Sequence, residues 1–233
     1  HILCVFFTHR LDDLPSILPS LYALSNLLEF YVTDFDPKYY DFIDIADAIF
    51  QGIHVQSHAQ NIRQKVFSFS QELLHYESVV NALIEKNYGK IVLNGLINAL
   101  DGEKDPRCLL SALLLIFQSV QLFSSIFSDS PSSDSNAMDV VNGGYEGLPS
   151  FVIPNPIPQE STMMASKIFD SVACYFPITF TPPPDDPFGV TPESLIAALE
   201  DCLCSHETIL RYYTIPFLIS QLMGSDESIL SVA

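Results

Sequence analysis

Leu14–Tyr31, LPSILPSLYALSNLLEFY, sets Ile17, Leu18, Leu21, Leu24, Leu27 and Leu28 at steps of three and four residues. That spacing gathers them on one side of a helix with 3.6 residues per turn, and it does not fit the two-residue period of a strand. The same period recurs along the chain. Asn61–Tyr76 turns Ile62, Val66, Phe69, Leu73 and Leu74 to one side. Before it, Asp36 and Pro37 mark an N-cap and first helical position for a helix reaching about Gln51. Its apolar residues Tyr40, Ile43, Ala46, Ala48 and Phe50 alternate with Asp41, Asp44 and Asp47. Glu77–Lys86 and Ile91–Leu100 follow, with a break near Asn87–Gly89. Thr162–Tyr175, Thr191–Leu203 and Glu207–Leu222 complete the set, and a further helix is expected to start at Asp226. No alternating run is long enough for a strand. The fold class expected is all-α, built of helix pairs.

Two start signals are sharp. In DGEKDPRCLL, Asp101–Leu110, Gly102 suits positive φ, Asp105 suits an N-cap, and Pro106 suits a first helical position that has no donor to lose. In TPES, Thr191 is the cap, Pro192 the first helical residue, and Glu193 an acidic group near the positive helix end.

Composition bounds what the chain can meet. Its 233 residues are 48% hydrophobic and 16% charged, which excludes disorder over most of the length. Ten basic against 28 acidic residues give a net charge of −18, and beyond Arg107 only Lys167 and Arg211 are basic. A surface of that sign repels phosphate backbones and anionic membranes, so neither nucleic acid nor membrane is expected as a direct partner. The uncharged stretch Cys108–Ser128 has the length of a membrane span, but Gln118, Ser119, Gln121, Ser124 and Ser125 would carry polar groups into hydrocarbon. A helix covered by neighbours on most sides explains it better. The five cysteines, Cys4, Cys108, Cys174, Cys202 and Cys204, are odd in number and irregularly spaced, which fits a reducing compartment. The chain opens at His1 inside an apolar run and reads as a piece of something longer.

Cys174–Pro192, CYFPITFTPPPDDPFGVTP, holds six of the sixteen prolines. Each fixes φ and removes a donor, so this is a stiff connector between helices. Asp185, Asp186 and Phe188 are candidates for an acidic-aromatic patch that meets a basic partner. The competing reading is a brace between adjacent repeats, favoured by the bulk of Tyr175, Phe176, Ile178 and Phe180, which calls for burial. Ser128–Glu160 is a polar insert, rich in Ser, Pro, Asn and Asp. The expected organisation is helical repeats over 1–127, the insert over 128–160, and helical repeats over 161–233 containing the connector 174–192.

Catalytic and metal motifs find little support. Cys202 and Cys204 lack a second pair for a cluster or zinc site, so small apolar side chains in a helix are the simpler reading. His54 and His58 have four-residue spacing but fall in a connector. No GxSxG, P-loop, GxGxxG or HExxH frame is present. Neither a catalytic site nor a cofactor is expected.

Three phrases resemble, in order, the amino-terminal region of a known family: AIFQGIHVQS at 48–57, DGEKDPRCLL at 101–110 and CYFPITFTPPPDDPFGVTPESL from Cys174. The family is the HEAT-repeat targeting subunit of the cytosolic iron-sulfur protein assembly complex, also described as a DNA repair and transcription protein. The long insert departs from its pattern. The resemblance implies a HEAT/armadillo-like α-solenoid, which periodicity alone does not separate from a compact bundle. It implies a structural role for Asp105 and Arg107 in bridging neighbouring repeats. It further implies a non-catalytic adaptor, cytoplasmic and nuclear. Its partners would be iron-sulfur assembly subunits and apoprotein clients such as DNA helicases and polymerases. The alternative is a solenoid interaction module for nuclear transport or transcription complexes.

Overall fold

The computed structural model describes residues 2–34, 39–127, 159–180 and 189–230. The expected cap at Asp36 and Pro37, almost all of the insert, and Asp185, Asp186 and Phe188 lie outside the described residues. Among those described, every regular element is helical. Helix α1, Ile2–Thr8, runs into a 3-10 turn at His9–Asp12, and α2 follows at Ile17–Asp34. Helix α3, Tyr39–Asp47, widens into a π turn at Ala48–Gly52, and a short 3-10 turn, Val55–Ser57, leads to α4 at Gln60–His75. Then come α5, Glu77–Glu85; α6, Gly89–Leu100; α7, Pro106–Leu122; α8, Gln159–Ala173; and α9, Pro192–Leu203. Helix α10, Glu207–Ile209, passes through a π turn at Leu210–Thr214 into α11, Ile215–Leu230.

The helices stack in two rows. One row runs α2, α4, α7, α9, each packed on the next. The other runs α1, α3 and α5, then α6 packed on the π turn that follows α3, then α8 and α10. Between rows, α1 packs on α2, α4 on α5, α6 on α7, and α8 on α9. Pairs that touch chiefly their neighbours are the arrangement of an α-solenoid, so the expected all-α class holds.

The apolar stripes make the contacts. On α2, Ile17, Leu21, Leu24 and Leu28 are at most 1% exposed, and on α4 all five residues expected to face inward are buried. Helix α7 sits between α4, α6 and α9. It therefore buries two stripes, Cys108–Ala112–Leu115–Ser119 and Leu109–Leu113–Ile116–Val120. This wide burial accounts for the lack of charge over Cys108–Leu122. No helix among the described residues is long and apolar enough to cross a membrane.

Both sharp start signals have a geometric basis. Asp105 accepts hydrogen bonds from the backbone N–H groups of Arg107 and Cys108, with Pro106 in the first turn. Thr191 and Ser194 form a reciprocal capping box at α9. The break between α5 and α6 falls where Asn87 takes φ +56°, a conformation that asparagine tolerates better than most residues.

The chain end differs from the sequence expectation. No new helix begins at Asp226, because α11 continues unbroken through it to Leu230. Gly224 does not stop it, since glycine inside a helix costs only about 1 kcal/mol. Pro216 also lies within this helix. It stands just after the π turn Leu210–Thr214, the kind of local irregularity found where proline interrupts a helical ladder.

Candidate functional site

The three distinctive phrases, far apart in sequence, meet at one edge of the solenoid. Glu103 is at the centre. Its side chain is fully buried, and one oxygen accepts from Arg63 Nη2 at 2.9 Å while the other accepts from Arg63 Nε at 2.8 Å. The same carboxylate accepts from Gln56 Nε2 at 3.1 Å and from the backbone N–H groups of Lys104 and Asp105, each at 2.9 Å. Arg63 also donates to the carbonyl of His58 at 2.9 Å, and Gln56 donates to that of Ala99. Tyr175 closes the third side by donating to the carbonyl of Leu100 at 2.7 Å.

Burial alone would make this charge costly, and a two-pronged guanidinium with three further donors is what compensates it. The hydrogen bonds to Glu103 raise Arg63 above its ordinary value against the desolvation that opposes them. Burial pushes the Tyr175 hydroxyl up to about 12, so it remains a donor. At Asp105 burial acts upward, but the hydrogen bonds from Arg107 and Cys108 outweigh it and hold the carboxyl below its usual range. Asp105 and Arg107 pair with each other at 3.0 Å, next to this junction. Arg63–Glu103 is an ion pair that joins α4 to the turn before α7.

Beside the junction, a cavity of about 720 Å³ opens between the π turn Ala48–Gly52 and α6. A second concavity, of about 530 Å³, lies between that π turn and the end of α1, and the two share Gln51 and Gly52. Gly95 makes the close approach possible. A Cβ there would lie 2.4 Å from the carbonyl oxygen of Phe50 and 2.8 Å from its Cα. The groove was not foreseen from the sequence, since it arises only when α6 docks on the phrase AIFQGIHVQS.

The cysteines and histidines remain separate. Cys202 is buried and donates to the carbonyl of Leu113 at 3.0 Å, and burial pushes its thiol up to about 12. Cys204 is exposed and caps the end of α9. Burial, and secondarily the neighbouring His54, lower His58. Among the described residues no three His, Cys, Asp or Glu side chains gather where they could hold a metal ion.

Stacked helical pairs, a buried polar fastening and a shallow groove define an all-α protein whose packing is consistent with an α-solenoid. Residues 1–231 match the family described as Dos2-interacting transcription regulator of RNA-Pol-II, MMS19_N, and the chain belongs to that family. It is 32% identical over 233 residues to the MMS19 nucleotide excision repair protein homolog of Mus musculus and 30% identical over 233 residues to that of Homo sapiens, in both cases over 98% of this chain. The Arabidopsis thaliana homologue is 27% identical over 232 residues, 97% of the chain. The chain spans 18% of the length of the mouse and human relatives and corresponds to the amino-terminal region of the family. The resemblance carried by the three phrases is thus a family relationship.

Proposed function

We propose that this region is part of a non-catalytic scaffold of cytosolic iron-sulfur cluster assembly, which holds apoproteins of DNA replication, repair and transcription beside the machinery that supplies their clusters. The observation that carries this reading is the meeting of all three family phrases at one fastening, beside an open groove lined in part by the first of them. A rigid, extended surface raises the effective concentration of two molecules bound to it without forming any bond itself. The printed names of the relatives, nucleotide excision repair protein homologs, agree with clients in DNA metabolism. The net charge of −18 directs the surface toward proteins and away from nucleic acid.

Affinity capture of the full-length protein, and of a version lacking this region, tests the proposal. The truncated form is expected to recover iron-sulfur apoproteins several-fold less well while keeping its assembly partners. Equal client recovery would remove this region from client contact. Recovery of transport factors or general transcription subunits instead of iron-sulfur clients would favour the alternative solenoid module.

A further inference from the structure

The lining of the groove shared by the π turn, α1 and α6 limits the chemistry of an occupant. Asp12, Asp44 and Asp47 line one end, and Asp101 lies at the other. Among the described residues, no lysine or arginine lines either concavity. Lys167 reaches the edge at Asn94 across 3.4 Å, and His9 and His54 are among the lining residues. Between the acidic ends run the amides of Gln51, Asn94 and Asn98, over an apolar floor that includes Ile53 and Ile91. Side-chain amides of this kind can both donate to and accept from a peptide backbone.

Gly52 supplies the depth. It is exposed, and a Cβ placed on it would meet only the carbonyl oxygen of Asp47, at 3.9 Å. Its φ is not in the left-handed region. Glycine is therefore not required here by backbone conformation or by crowding, and its smallness leaves open the strip that joins the two concavities. A side chain at this position would fill the groove without disturbing the packing beneath.

We propose that this groove binds a segment of a partner protein in which arginine or lysine side chains flank one or two apolar ones. The basic groups pair with Asp12, Asp44 and Asp101, the backbone meets the amide of Asn98 and the amide oxygen of Gln51, whose nitrogen is held by Asp47, and the chain crosses over Gly52. This deepens the scaffold reading by giving the chemistry of the client-contact segment, and it rests on that reading. Charge pairs at such a rim act largely on encounter and specificity, with the buried strip adding contact area.

The test uses the full-length protein and a short fluorescein-labelled synthetic peptide of arginine, leucine and serine, followed by fluorescence anisotropy at low salt. Gly52→Leu closes the strip, and D12N/D44N/D101N together remove charge from exposed positions while leaving the fold intact, as circular dichroism would verify. Each is expected to weaken binding by roughly tenfold, the scale of a few exposed charge pairs or one blocked subsite. A control, E193Q/E200Q/D201N on α9, removes the same number of charges elsewhere and is expected to leave affinity within about twofold. Absence of wild-type binding, an equal loss in the control, or equal binding of a peptide with glutamate in place of arginine would overturn the proposal. None of these results bears on client recovery in the capture experiment, so failure of the groove and failure of the scaffold reading are separable.

Discussion

Replacing Glu103 by alanine is expected to lower the unfolding free energy by about 3–5 kcal/mol, the range for removing one partner of a buried ion pair. The loss has identifiable parts. Arg63, whose side chain is 16% exposed, would keep a charge with only the His58 carbonyl remaining among its acceptors described above. The N–H groups of Lys104 and Asp105 and the amide of Gln56 would each lose an acceptor. Unmade hydrogen bonds in a buried place cost more than the same bonds contribute when made. Glu103→Gln keeps the shape but not the charge, and is expected to fall between wild type and alanine. Chemical denaturation of the 233-residue chain reads this as a lower midpoint with an unchanged slope. A loss under about 1 kcal/mol for alanine would show that the junction does not hold the rows together.

Gly95→Ala is expected to be the most damaging small substitution in the groove. The new methyl would meet backbone of Phe50 at 2.4 and 2.8 Å, and backbone cannot rotate away as a side chain can. Either α6 or the π turn must move. Overpacking of this kind costs about 1–3 kcal/mol and at times more, against about 1 kcal/mol that alanine contributes as a better helix former. A net loss of about 2 kcal/mol is expected, with weakened binding of the basic peptide because the groove wall has shifted. Gly89→Ala is a useful comparison. Its close neighbours are side-chain atoms of Phe123 and Ile126, which have some freedom to repack. A variant at Gly95 as stable as wild type would contradict the packing described.

Much of the fold was legible in the sequence, because helix stripes and caps are local. The steps Ile17–Leu21–Leu24–Leu28 and Ile62–Val66–Phe69–Leu73 are spaced by the helix itself, and all eight residues are buried. Asp105 and Thr191 begin helices for reasons contained within four residues. The π turns were not legible, since they depend on how the backbone accommodates Pro216 or passes from α3 into the groove. Extension of α11 past Asp226 was missed because a glycine-serine-aspartate step resembles a helix restart.

The site was legible only in part. The three family phrases pointed to the right segments, but nothing local couples Arg63 to a carboxylate 40 residues away. Within DGEKDPRCLL attention fell on Asp105 and Arg107, which pair with each other, while Glu103 between them and Gly102 carries the long-range contact. One signal was available: Glu103 is the single glutamate of the turn, beside an Asp105 whose place as a cap was already explained. The groove had no such signal, because it is a space between elements.

The central claim, that this region holds reactants together without transforming them, is tested most directly by cluster transfer among purified components. The full-length protein and a version lacking this region would each be supplied with the assembly partners, loaded cluster and one apoprotein client. Their transfer rates would be followed over a wide range of client concentration. A scaffold predicts a large rate deficit for the truncated form in dilute mixtures that vanishes once the client is concentrated enough to bind unaided. A deficit that persists undiminished at saturating client would mean that the region takes part in the chemistry, and would contradict this account.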